Sequence, residues 1–201
     1  MRQRNARFRK ADEFDRLLGC DRQWQRFRIS QAYIFTGEDY DAPRDETEVF
    51  PGMVGYAGGT EPNPTYELVT SERTKYRESL QITYDPSKIS FAQLLDIYWK
   101  QINPTQSDGQ FTDIGPSYRA AIFYGSDEEK KIAEESKERL AKSGRFNKPV
   151  VTEILPAMKF WPAEDYHQQY YRKNPEHFEA FEYGSGRVSY GKKTWGEEKK
   201  P

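Results

Sequence analysis

Short apolar runs bounded by turn residues recur along the chain after residue 50. Each run is five to seven residues long, and one of them alternates, with Leu80 and Ile82 on one face. Such runs predict β-strands, because a strand presents successive side chains to opposite faces of a sheet. The four predicted strands are Met53–Ala57, Glu78–Tyr84, Ala120–Tyr124 and Val150–Leu155.

Two segments with a helical apolar period separate the last three of these strands. The first begins at Ser90, and Gln93 completes a capping box three residues later. Its apolar positions are Phe91, Leu94, Leu95, Tyr98, Trp99 and Ile102. The second begins at Ser126, with Glu129 in the box position, and ends near Gly144. A chain that alternates strands with helices predicts an α/β fold, a single-domain two-layer sandwich.

Residues 1–50 differ in composition from the rest of the chain. They contain nine Arg and one Lys, whereas residues 51–201 contain seven Arg and fourteen Lys. Their apolar residues follow neither a sustained helix period nor a sustained strand period. We therefore divide the chain into an atypical charged N-terminal segment, 1–50, and a domain with a C-terminal tail, 51–201. A basic arm that binds nucleic acid is the alternative interpretation of the segment's first half.

The overall composition excludes several classes of site. The net charge of -1 gives no global field that would favour nucleic acid or an anionic membrane. One Cys and two His residues leave no metal-binding constellation, so we expect neither a metal nor a cofactor. No apolar run reaches the roughly 18 residues of a membrane span. We expect a cytoplasmic monomer in which Cys20 stays reduced.

A series of motifs after residue 52 resembles one known family. These motifs are Gly55-Tyr56-Ala57-Gly58-Gly59, Asn63-Pro64-Thr65-Tyr66, Tyr84-Asp85-Pro86, Asn103-Pro104-Thr105, Asp113 to Tyr118-Arg119, Gly144-Arg145-Phe146, Glu164-Asp165-Tyr166-His167-Gln168, Gly184-Ser185-Gly186-Arg187 and Trp195-Gly196. In order and spacing they are similar to the peptide methionine sulfoxide reductase A family over residues of about 53–196. The resemblance implies a mixed sheet of the ferredoxin-like plait type.

The resemblance also implies a chemistry and a set of site residues. In that chemistry a cysteine thiolate attacks the sulfur of methionine S-sulfoxide and leaves a sulfenic acid, which a second thiol reduces. Tyr66, Glu78 and Tyr118 match the positions that bind the sulfoxide oxygen, and Asp113 matches the carboxylate that serves the second thiol. Glu78 would have to be protonated at neutral pH, which requires burial. Each residue also has a structural alternative. Glu78 would be an exposed strand residue, Tyr66 and Tyr118 would be packed phenols, and Asp113 would cap a turn.

The nucleophile motif of the family, Gly-Cys-Phe-Trp, is not recognisable. The single cysteine, Cys20, is followed by Asp21 rather than by the Phe-Trp pair, and it lies 36 residues before Tyr56, which is longer than the family's interval. Beside Glu78, Lys75-Tyr76 replaces the family's Gly-His. Cys20 remains the candidate nucleophile.

Two functions follow from these observations. The first is an enzyme that reduces free or protein-bound methionine sulfoxide and is regenerated by thioredoxin or another thiol reductant. The second is an inactive homologue or a sulfoxide-binding module whose nucleophile segment is lost or misframed. His167 and His177 match no catalytic position of the family, so we expect both to have structural roles.

Overall fold

The computed structural model describes residues 31–36, 52–84, 86 and 89–196. The strands are β1 (Gln31–Thr36), β2 (Met53–Ala57), β3 (Arg77–Tyr84), β4 (Gly109–Gln110), β5 (Asp113–Ile114), β6 (Ala121–Tyr124), β7 (Glu153–Pro156) and β8 (Trp161–Pro162). The helices are α1 (Tyr66–Thr70), α2 (Phe91–Gln101), α3 (Asp127–Ala141), α4 (Tyr170–Lys173), α5 (Pro175–Gly184) and α6 (Arg187–Trp195), and a 3-10 turn spans Pro116–Tyr118.

Six of the strands form one mixed sheet, in the order β7-β6-β1-β3-β2-β8. Strand β1 is parallel to both of its neighbours, β3 and β6, whereas β2 is antiparallel to β3 and β8. All four strands predicted from the sequence are present; Met53–Ala57 has the predicted ends, and the ends of the other three differ by at most three residues. Strand β1 was not predicted, and it comes from the segment that composition sets apart from the domain.

Both predicted N-cap residues cap their helices, but only the first helix has the complete capping box. Ser90 accepts from the Gln93 N–H, and the Gln93 side chain accepts from the Ser90 N–H, so the predicted capping box of α2 is present. At α3, Ser126 accepts from the Glu129 N–H, but the Glu129 carboxylate takes its bond from the N–H of Gly125. Both helices therefore begin where the sequence indicates.

The main core lies between the sheet and helices α2 and α3. The apolar stripe of α2 is buried there against β2, β3 and β6. Two side-chain hydrogen bonds lie within this core. The Tyr98 hydroxyl donates to the Ala121 carbonyl at 3.0 Å, and the Trp99 indole donates to the Ser136 hydroxyl at 2.8 Å. A smaller cluster around Phe123 covers the opposite face with the chain between β7 and β8. The predicted single-domain α/β fold with a mixed sheet is confirmed.

Three helices follow β8, and the sequence pattern does not predict them. The last two, α5 and α6, contact each other, and α6 also contacts α2. Within the part of the chain that the structure describes, no helix is long and apolar enough to cross a membrane.

Candidate active site

Glu78 lies at the start of β3, directly opposite Tyr56 on β2. Alternation along the strand puts Glu78 on the same face as Leu80 and Ile82, which belong to the main core. Its exposed fraction is 4%, so the alternative role of an exposed strand Glu is wrong. The burial that a carboxylic acid donor requires at this position is therefore present.

Glu164 joins the strand that faces Glu78 to the helix that carries Tyr66. The Tyr56 hydroxyl donates to Glu164 Oε2 at 2.8 Å, and the Tyr66 N–H donates to Glu164 Oε1 at 2.9 Å. Burial and this hydrogen bond raise the pKa of the Tyr56 phenol, which therefore stays a donor. The two oxygens of the Glu164 carboxylate thus hold β2, through Tyr56, and α1, through Tyr66.

The charge state of Glu164 follows from competing effects. Burial raises the pKa of the Glu164 carboxyl, but N–H donors, the Tyr56 hydroxyl and nearby His167 outweigh burial. The pKa of Glu164 consequently lies below its ordinary value, and the carboxylate is ionised at neutral pH.

Tyr66 is the first residue of α1, which begins after a proline-rich turn. Thr65 caps this helix by accepting from the Leu68 N–H at 3.3 Å. The Tyr66 ring is half-buried and lies 4.9 Å from the His167 ring, measured between centroids. His167 Nε2 lies 3.9 Å from Glu164 Oε2, so the imidazole borders the same cluster. The sequence predicts only a structural role for His167, and its position beside Tyr66 and Glu164 is a finding of the structure.

Tyr118 ends the 3-10 turn, which contacts β3. Arg77 and Arg119, which directly precede Glu78 and follow Tyr118, contact each other. Arg77 donates to the Arg119 carbonyl at 3.5 Å and pairs with Glu153. Glu153 also lies 3.6 Å from the Arg119 guanidinium. This network links the 3-10 turn, which ends at Tyr118, to the first two residues of β3, Arg77 and Glu78.

Asp113 lies in the short β4-β5 hairpin, five residues before Tyr118. Its side chain is buried and pairs with Arg187, the first residue of α6, at 3.2 Å between Oδ2 and Nη2. The residue before the turn, Gly115, has a φ of 138°, and a Cβ there would lie 2.3 Å from Glu72 Oε1. The loop from Asp113 to Tyr118 thus packs closely against the end of α1 and the start of α6.

Cys20 lies outside the described residues, so no distance relates it to these groups. The second departure from the family pattern, Tyr76, fills the core: its ring is buried against Gly59 and its hydroxyl donates to the Glu61 carbonyl. A phenol thus occupies the position of the family's histidine. Among the described residues, no cluster of three His, Cys, Asp or Glu side chains could hold a metal ion.

The sequence motifs also predict no place at the site for Tyr56, Glu164 or Arg187. Each lies in a motif that carries the family resemblance, but nothing in the sequence pairs Tyr56 with Glu164 or Arg187 with Asp113, because the partners lie 108 and 74 residues apart. Position within a motif was the available signal, and only the fold reveals the contacts.

Comparisons of the sequence with known proteins show which family the chain is similar to. Residues 45–199 match the family model described as Peptide methionine sulfoxide reductase. The peptide methionine sulfoxide reductase MsrA of Bacillus subtilis is 52% identical over 155 residues, which are 77% of this chain and 88% of that protein. The MsrA of Bacillus licheniformis is 51% identical over 150 residues, 73% of this chain and 83% of that protein.

Solved structures give the same assignment. The reduced form of Mxr1 from Saccharomyces cerevisiae superposes with a TM-score of 0.59 and 34% identity, over 62% of this chain and 71% of Mxr1. Methionine sulfoxide reductase A of Corynebacterium diphtheriae superposes with a TM-score of 0.54 and 36% identity, over 63% of this chain and 65% of that protein. The chain therefore belongs to the peptide methionine sulfoxide reductase family.

Proposed function

We propose that this chain reduces methionine S-sulfoxide, free or in proteins, to methionine, with Cys20 as the nucleophile. The enzyme class is that of its family, peptide-methionine (S)-S-oxide reductase. The observation that carries the proposal is the buried Glu78 opposite Tyr56, whose hydroxyl shares the Glu164 carboxylate with the Tyr66 N–H. The sulfoxide oxygen accumulates charge during attack and needs donors beside it. We assign that role to Glu78 and to the Tyr66 and Tyr118 hydroxyls, while Glu164 holds the elements that carry Tyr56 and Tyr66.

In the first step, the Cys20 thiolate attacks the sulfoxide sulfur. Glu78 gives its proton to the sulfoxide oxygen, while the Tyr66 and Tyr118 hydroxyls stabilise the charge on that oxygen. The attack forms a bond between the Cys20 sulfur and the substrate sulfur. The protonated oxygen then moves to the Cys20 sulfur as this sulfur–sulfur bond and the substrate S–O bond break, which leaves a Cys20 sulfenic acid and releases methionine. The substrate sulfur gains two electrons and the Cys20 sulfur loses two.

The second step restores the thiol. The chain has one cysteine, so the reducing thiol comes from outside, and we propose thioredoxin or another thiol reductant. Asp113 accepts the proton of the incoming thiol and passes it to the Cys20 hydroxyl group. The thiol sulfur attacks the Cys20 sulfur, the Cys20 S–O bond breaks, and water leaves. A second thiol then cleaves the mixed disulfide, which releases a reductant disulfide and the Cys20 thiol.

The proposal is tested by single-turnover reduction without added reductant. The fully reduced chain should convert one equivalent of methionine S-sulfoxide, and Cys20→Ser should convert none. Conversion that survives in Cys20→Ser would reject the thiol mechanism. A wild-type chain that binds the sulfoxide without converting it would instead identify an inactive homologue that keeps only the binding site.

A further inference from the structure

Arg187 reaches the Asp113 carboxylate from the C-terminal end of the chain. It begins α6 directly after Gly186, whose φ of 82° turns the chain from α5 into α6. The exposed fractions of the Arg187 and Asp113 side chains are 10% and 9%, and Nη2 lies 3.2 Å from Oδ2. Because a guanidinium is planar and its donors are fixed, such a contact restricts the orientation of the carboxylate.

Two aromatic rings flank the Arg187 guanidinium. Its central carbon lies 4.6 Å from the Phe111 ring centroid, and 5.9 Å from that of Phe181. Phe111 belongs to the hairpin that carries Asp113, whereas Phe181 belongs to α5. Stacking on these rings adds cation–π attraction and limits how far the guanidinium can turn.

Helix α6 is also held at points away from Asp113. The Tyr190 hydroxyl contacts Asn103 Oδ1 at 3.2 Å. Arg145 donates to the Thr194 carbonyl at 2.7 Å, and its guanidinium carbon lies 4.8 Å from the Trp195 ring. We therefore expect α6 to keep its position when the Arg187 charge is removed. An effect of that change on Asp113 can then be distinguished from displacement of the helix.

We propose that Arg187 is a positioning residue for the regeneration step, in which it fixes the Asp113 carboxylate for proton transfer from the reducing thiol. This inference rests on the proposed function. Loss of Arg187 should slow methionine release less than it slows regeneration of the Cys20 thiol, because methionine release uses Cys20 and Glu78 rather than Asp113.

The experiment compares the two steps in Arg187→Gln, Arg187→Lys and Arg145→Gln. The first step is followed by single-turnover release of methionine, and regeneration by steady-state turnover at varied dithiothreitol. Arg187→Gln should lower the steady-state rate at least tenfold and the single-turnover rate less than threefold. Arg187→Lys, which keeps a cation, should recover part of this loss. Arg145→Gln, which loosens only the far end of α6, should show neither change.

A double-mutant cycle completes the test. In an Asp113→Asn background, Arg187→Gln should cause no further loss of steady-state rate, since it acts through Asp113. Independent losses in the double variant, or an equal loss in Arg145→Gln, would overturn the inference. Failure of the proposed function is distinguishable, because the wild-type chain would then release no methionine in a single turnover; the inference would fall with it.

Discussion

The Tyr56 hydroxyl and the Glu164 carboxylate meet at 2.8 Å although the two residues lie 108 positions apart. The other carboxylate oxygen holds the N–H of Tyr66, so one side chain sets the separation between β2 and α1. Since β2 also carries the partner of Glu78, Glu164 controls where Tyr66 lies relative to the proposed proton donor.

Glu164→Gln should lower the free energy of unfolding by about 1–2 kcal/mol. The amide offers one acceptor oxygen in place of two, so one of the two donors loses its partner. Urea denaturation followed by circular dichroism measures the effect. Glu138→Gln is the matched control, because Glu138 is an exposed partner of Lys142 and an exposed ion pair contributes little, so this change should leave the stability almost unchanged. Equal stabilities of the two variants would contradict the prediction.

The stabilisation from Glu164 should depend on pH in a defined direction. The pKa of Glu164 in the folded chain lies below the ordinary value of 4.5, so its contribution is fully present above that value and is lost as pH falls through the lowered pKa. The difference in unfolding free energy between the wild-type chain and Glu164→Gln should be constant near neutral pH and should shrink below about pH 4.5. A difference that grows on acidification would have the wrong sign.

Gly55→Ala should destabilise the fold, whereas Gly191→Ala should not. A Cβ at Gly55 would lie 2.1 Å from the Trp161 carbonyl and would force β2 and β8 apart, at a cost of at least about 2 kcal/mol. A Cβ at Gly191, within α6, meets nothing within 4 Å, so alanine should stabilise that helix by about 0.5–1 kcal/mol. Thermal unfolding measures both. A Gly55→Ala chain as stable as wild type would contradict the close β2-β8 contact.

Glu78→Gln should slow the first chemical step without abolishing it. We expect a loss of about 100-fold, at the lower end for a positioned general acid, because Tyr66 and Tyr118 still stabilise the oxygen. Rapid-quench measurement of methionine release gives the rate. Glu135→Gln, which changes an exposed glutamate of α3, is the control. If both variants reacted as fast as the wild-type chain, Glu78 would have no role as the proton donor.

Helices and strands whose structure depends on residues close together in the sequence could be predicted from local patterns. The Ser90-Gln93 box and the apolar period of α2 are local, and both are present as expected. The alternation at Leu80 and Ile82 likewise predicted β3, and because that alternation continues back to Glu78, it also accounts for the buried carboxyl.

The rest could not be predicted because its interactions are remote in sequence. Strand β1 pairs with β3 and β6 in the middle of the sheet, although the composition of residues 1–50 resembles no core strand. Helix α6 has no buried residue of its own and is held by single contacts, such as Arg187 with Asp113. The bond between Tyr56 and Glu164 exists only once β2 and the chain after β8 are neighbours.

In the proposed mechanism, Cys20 attacks the sulfoxide at a site that Tyr66, Glu78 and Tyr118 form. The most direct test is a sulfenic-acid probe added to the reduced chain after one turnover of methionine S-sulfoxide, followed by mass spectrometry of the peptide that contains Cys20. We expect one probe adduct on Cys20 for each methionine released, with adduct formation slowed in Glu78→Gln to the same extent as methionine release. Methionine release without an adduct on Cys20 would rule out Cys20 as the nucleophile.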